Sequence, residues 1–228
     1  YGIFVHVNSA LSDFASNHFE DNTAPMSINA VHIDSITADS TFTDNDDGDY
    51  VEVHGGETDD DITWREIGTP WFVSDDVSFI DESHSVIEEG THILFFDDTS
   101  LELHKGRLDI LGTEDAPVVM EGSEDQAGWW NGLFFRDSVG GASQVEYLEL
   151  RHAGKHGHAN TRPAGIAISR SLYSAEANIT DSLIEDIDTL DDEDPFGIYV
   201  HATGSVNQDI CSANEFNNIA GQDCLIDD

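Results

Sequence analysis

The sequence predicts an all-β solenoid of short, stacked parallel strands. Three observations carry that prediction: a repeat of glycine-led apolar segments, a second ladder in step with it, and little helical periodicity beyond the N-terminal region. The repeat is Gly132-Leu133-Phe134-Phe135-Arg136, Gly165-Ile166-Ala167-Ile168-Ser169 and Gly197-Ile198-Tyr199-Val200-His201, whose glycines fall 33 and 32 residues apart. Behind each glycine the residues alternate with period two, as a strand requires. The second ladder is Val145, Ile179 and Cys211, with Leu150, Ile184 and Phe216 five residues later and Leu148, Ser182 and Asn214 between. Upstream, Gly106-Arg107-Leu108-Asp109-Ile110 and Val118-Val119-Met120 look like a shorter turn of the same design. A unit of this size cannot bury its apolar face alone, and stacking the units makes one continuous core.

Each element follows from that pattern. Alternation turns Leu133 and Phe135 inward, where burial contributes roughly 1.5–3 kcal/mol each. It turns Phe134 and Arg136 outward, in rows with Ala167 and Tyr199 and with Ser169 and His201. Gly132 is expected at the corner where a strand begins. The aromatic-rich stretch from Gly128 to Ser138 therefore reads mainly as core. At the N-terminus Ile3, Val5 and Val7 alternate like a strand. Leu11, Phe14, Ala15, His18 and Phe19 then fall at helical spacing, with Asn8 or Ser9 as N-cap. Residues 1–61 are thus expected to form a cap of short helix and strand over a solenoid of residues 62–228. A sharper reading has the N-terminal strand add to a neighbouring copy and link molecules into a fibre.

Charge narrows the partners. The 228 residues include 47 acidic and 8 basic ones, a formal net charge of −39. Phosphate binding needs a basic patch, so nucleic acid is excluded as a partner, and an anionic membrane surface is disfavoured. Self-repulsion of this size suits a saline or extracellular medium rich in divalent cations, where screening is short-ranged. No apolar run approaches the ~20 residues that span a bilayer. The chain starts at Tyr1 without a signal peptide, as expected of a processed product or an excerpt. Cys211 and Cys224 are close enough in sequence for a disulfide worth roughly 3 kcal/mol in the chain-entropy model, with two free thiols as the alternative.

The wording of several segments resembles a known family. Thr63-Trp64, Val86-Ile87-Glu88-Glu89-Gly90-Thr91, Gly106 to Thr113, Ala116-Pro117-Val118-Val119 and Trp130-Asn131-Gly132-Leu133-Phe134-Phe135 resemble right-handed parallel β-helix repeat proteins of bacterial secreted and surface origin. These form the pectate-lyase-like class, and the resemblance covers about residues 62–220. It implies a right-handed coil, in an architecture that hosts lyases, hydrolases, adhesins and structural proteins alike. Lyases of the class typically use Lys or Arg as base, and often calcium to neutralise a uronate. Arg136, Arg151 and Arg170 are the candidates on the coils. Hydrolases use clustered Asp, but no carboxylate pair stands out here, and no catalytic residue is assigned.

Three constellations are candidates for binding. Asp44-Asn45-Asp46-Asp47-Gly48-Asp49 gathers the carboxylates of Asp44, Asp46, Asp47 and Asp49 in one turn, suited to calcium but without the EF-hand spacing; the alternative is a solvated acidic turn. The insertions Gly154–Pro163 and Asp188–Pro195 occupy the same place in successive coils. Stacking them sets His156 and His158 beside Asp191, Asp192 and Asp194, which suits electrostatic pairing of two loops, a transition-metal site or calcium. Trp129 or Trp130, with Phe134, Arg136 and Tyr199, are the candidate glycan-binding residues. The expected function is a secreted or cell-surface structural or adhesive protein whose partner is itself, end to end, or an extracellular polysaccharide. The alternatives are a polysaccharide-active enzyme and a glycan-binding module.

Overall fold

The structure, a computed structural model, describes residues 1–12, 14–157, 161–170 and 172–227. Among them, three long parallel sheets hold most of the regular structure. One sheet has nine strands: Ile3–Val5, Met26–Ile28, Val51–Val53, Trp71–Val73, His92–Phe95, Val118–Gly122, Leu148–Arg151, Leu183–Ile187 and Glu215–Ile219. A seven-stranded sheet runs from Gly56–Thr58 to Gln222–Ile226, and a six-stranded sheet from Thr63–Trp64 to Ser205–Val206. From Thr63 onward the chain visits the six-, nine- and seven-stranded sheets in that order on every circuit. The fold is an all-β parallel solenoid.

The rows expected from the sequence are present. Leu133 pairs with Ile166 and Ile166 with Ile198, and Leu150 pairs with Ile184 and Ile184 with Phe216. Leu133, Phe135, Ile166, Ile168, Ile198 and Val200 are fully buried. Gly132 has φ +121, and a Cβ there would lie 2.6 Å from the carbonyl oxygens of both Ala164 and Gly165. Only glycine fits that corner. The ladder through Val145 and Ile179 changes at its third step. Strand Ser205–Val206 ends early, and the Asn207 side chain takes the place of backbone, accepting from Ile179 N–H at 2.9 Å and donating to Ile179 O at 3.3 Å. Cys211 is thereby released from the ladder, and it is joined to Cys224 in a disulfide.

The N-terminal region differs from the expectation in two ways. The nine-stranded sheet runs through the anticipated boundary at residue 61, because Val51 and Val53 pair with Trp71 and Val73. The helix expected over Leu11 to Phe19 is replaced by a strand, His18–Glu20, which pairs with Thr41–Thr43. Phe19 stacks on Phe42 with ring centroids 5.2 Å apart, a cross-strand contact that a helix would forgo. The helical element lies further on: a short 3-10 helix, Ala30–Ser35, packs against Gly56–Thr58 and Thr63–Trp64, the edge strands of the two smaller sheets. Asn29 caps it, and Ala30, Ile33 and Ile36 are buried beneath.

Candidate functional site

Strand alternation on the nine-stranded sheet puts Trp71, Val73, Ile93 and Phe95 inside, and therefore Phe72, Leu94 and Phe96 outside. Tyr50, just before Val51, also faces out. On four successive rungs this gives Tyr50, Phe72, Phe96 and Trp129, with ring centroids 5.0, 6.1 and 6.5 Å apart in turn. The rings line a cleft of about 380 Å³ whose other walls are Leu94, Ser123, Asp47 and Glu124. Phe96 is 47% exposed. An outward aromatic row of this kind gives up burial that a core position would have supplied, and such patches mark binding surfaces.

Local backbone fixes the row. Trp129 N–H donates to His152 O at 2.7 Å, and Trp129 O accepts from Asp98 N–H at 3.2 Å, so the residue is tied to the rungs on either side. Gly122 leaves the space the ring occupies: a Cβ there would meet Trp129 Cδ1 at 2.9 Å and the Cβ of His152 at 3.1 Å. Partial burial, helped by the negative charges of Glu52 and Asp47, pushes the Tyr50 hydroxyl above its usual value. It therefore stays a neutral donor and acceptor at physiological pH.

The other expected glycan-binding residues are placed differently. Trp130 is fully buried and stacks on Phe95 at 3.8 Å. Phe134 and Tyr199 do share an outward row with Ala167, but that row is covered, leaving them 3% and 4% exposed. Arg162 lies 5.6 Å from the Phe196 ring and 5.9 Å from Tyr199, and Tyr199 donates to Asp227 at 2.6 Å. Arg136 is held by Glu102 at 2.7 Å. Of the expected set, Trp129 alone reaches the open cleft; Tyr50, Phe72 and Phe96 were not foreseen. Their signal was available in the sequence as aromatic residues adjoining inward strand positions, as in Trp71-Phe72-Val73 and Phe95-Phe96.

Of the expected metal residues, Asp49, His156 and Asp191 make side-chain ties within the fold. In the acidic turn Asp49 accepts from Asp44 N–H, from Asn45 N–H and from the Asn45 side chain at 2.8–3.2 Å, while Asn45 is buried and bonded back to Phe19 O. Asp44, Asp46 and Asp47 are exposed. The two inserted loops do stack: Asp191 accepts from Gly157 N–H at 2.8 Å and lies 2.9 Å from His156 Nδ1, and Thr189 donates to Lys155 O. Asp192 and Asp194 are exposed, and His158 lies outside the described residues. Among the described residues no three His, Cys, Asp or Glu side chains converge as a metal site. Two of the arginines raised as bases are paired: Arg136 with Glu102, and Arg151 with Glu149, Glu185 and Glu121 at 2.6, 2.5 and 3.5 Å. Arg170 lies 4.5 Å over the ring of Tyr173.

These ties give the fold an acid limit. The Gly157 N–H and His156 hold Asp191 below the usual 3.8, the Asn45 side chain does the same for Asp49, and His92 and Arg151 hold Glu121 below the usual 4.5. A carboxylate with a lowered folded-state pKa binds protons more readily when unfolded. Its contribution is therefore complete above the usual carboxylate range and is lost as pH falls through the folded values. The melting temperature is expected to drop as pH falls through and below the usual carboxylate range, and a profile flat there would refute the assignment.

With the geometry in hand, comparison with known proteins adds no relative: no protein-family model, curated protein or solved structure matches the chain.

Proposed function

We propose that the chain is a secreted or surface-displayed right-handed parallel β-helix, of the pectate-lyase-like class, that acts as an adhesive module and holds an extended glycan along its nine-stranded face. The observation that supports this reading most directly is the open row Tyr50–Phe72–Phe96–Trp129, one ring per rung across four rungs. Sugar rings carry apolar C–H faces and a hydroxyl rim, and they are matched by aromatic faces with polar groups at the margin. Tyr50, Ser123 and the two carboxylates supply that margin. An external groove also admits a polymer without free ends, which a closed pocket would not. A disulfide and a strongly acidic surface suit an oxidising, extracellular setting.

Affinity electrophoresis through gels containing neutral, acidic and amino polysaccharides tests the reading. At least one gel should retard the protein, and Trp129→Ala or Phe96→Ala should weaken that retardation by about tenfold, since anchoring aromatics dominate such surfaces. Phe96 is well exposed, so Phe96→Ala should melt within a few degrees of the parent; Trp129 packs partly against the core, and Trp129→Ala is expected to melt somewhat lower. No retardation on any gel would sink the proposal.

A further inference from the structure

The charges around the cleft say which glycan it takes. Its lining holds two carboxylates, Asp47 and Glu124, and no cation. In strand register the outward row continues the pattern: Glu52 pairs with Phe72, Phe72 with Leu94, and Leu94 with Glu121. The hydrophobic step of the row is thus flanked by glutamates; Glu121 is held by His92 and Arg151, while the cleft's own carboxylates, Asp47 and Glu124, meet no cation in its lining. The basic groups on the neighbouring rungs are already committed. Arg151 is shared by three glutamates, and Lys155 is paired with Asp97, the residue after Phe96. A uronate or sulfated sugar would meet uncompensated negative charge here, in a molecule whose net charge is already −39.

Resting on the glycan reading, we infer that the ligand is an amino-sugar polymer bearing free ammonium groups. Stacked on Phe72, Phe96 and Trp129, such a chain presents its ring faces to the aromatics and its ammonium groups to Asp47 and Glu124. The ammonium also gains from the aromatic faces themselves, a cation–π contribution a neutral sugar lacks. An N-acetylated sugar keeps the stacking and loses both charge terms. Exposed ion pairs and cation–π contacts are individually small, and two or three together make a preference of about tenfold.

Calorimetric titration with a hexamer of glucosamine, its fully N-acetylated counterpart and a hexamer of galacturonate tests this. The glucosamine hexamer should bind about tenfold more tightly than the acetylated one, and the galacturonate should not bind. In the double variant Asp47→Asn, Glu124→Gln the preference should shrink to the smaller part that the cation–π contacts supply, while affinity for the acetylated hexamer stays. Equal binding of the glucosamine hexamer and its N-acetylated counterpart would overturn the charge inference and leave the glycan reading standing. Binding of glucosamine hexamer that is unchanged in Phe96→Ala, Trp129→Ala would mean a polycation condensing on an acidic surface, which also overturns it. Failure of all three ligands would overturn the amino-sugar inference, and the gel series decides the glycan reading separately.

Discussion

Replacing Trp130 with alanine is expected to lower the unfolding free energy by about 4 kcal/mol, at the upper end for a large-to-small core substitution. The side chain is fully buried, stacks on Phe95 at 3.8 Å with planes 5° apart, and donates from its indole nitrogen to Arg151 O at 2.8 Å. Alanine would leave a cavity between two rungs and strip the Arg151 carbonyl of a donor. Chemical denaturation measures the loss. The neighbouring Trp129→Ala supplies the contrast, because its ring is only partly buried at the margin of the core and its removal should cost less. A loss below about 1 kcal/mol at Trp130 would contradict the packing described.

The second large effect concerns the last coil. Cys211 and Cys224 are 13 residues apart in sequence, and a cross-link of that span restricts the unfolded chain by roughly 3 kcal/mol. It joins the segment before strand Glu215–Ile219 to the final strand, Gln222–Ile226, of the seven-stranded sheet. In a solenoid each coil is stabilised by its neighbours, so the loss should stay local. Reduction is expected to speed amide exchange across residues 205–227 by about a hundredfold, leaving the strands from Trp71–Val73 to Val118–Gly122 unchanged. Uniform acceleration along the chain, or none, would refute this. Measured under reducing and non-reducing conditions, the same exchange experiment separates the cross-link from strand packing.

Much of the architecture was legible because a parallel stack writes its register into the sequence. Leu133, Ile166 and Ile198 keep a spacing and an alternation that only aligned strands explain, and the structure pairs them so. The N-terminal coils were harder. They are shorter, their one strand beginning at a glycine, Gly56–Thr58, carries no apolar alternation behind it, and Phe14 to Phe19 meets both a helical and a strand pattern over too few residues to choose. Pairing with Thr41–Thr43, 23 residues away, decided it. The site was only partly legible. Period two tells which side of a strand a residue faces, and it placed Phe134 and Tyr199 outside correctly. It does not tell what lies over that side, and those two rings are covered. Nor could it separate Trp129 from Trp130, whose roles depend on where the chain leaves the corner after Gly128.

The rung-by-rung origin of the aromatic row has a consequence for how such a surface can change length. Because each ring belongs to its own coil, duplicating one whole coil would lengthen the aromatic row by one step and leave every existing contact in place. Losing one whole coil would shorten it equally cleanly. A gain or loss of a single residue within a strand would instead turn its inward side chains outward and break the row and the core together. Insertions and deletions tolerated in this molecule should therefore be whole coils or corner loops, so the row grows and shrinks in discrete units.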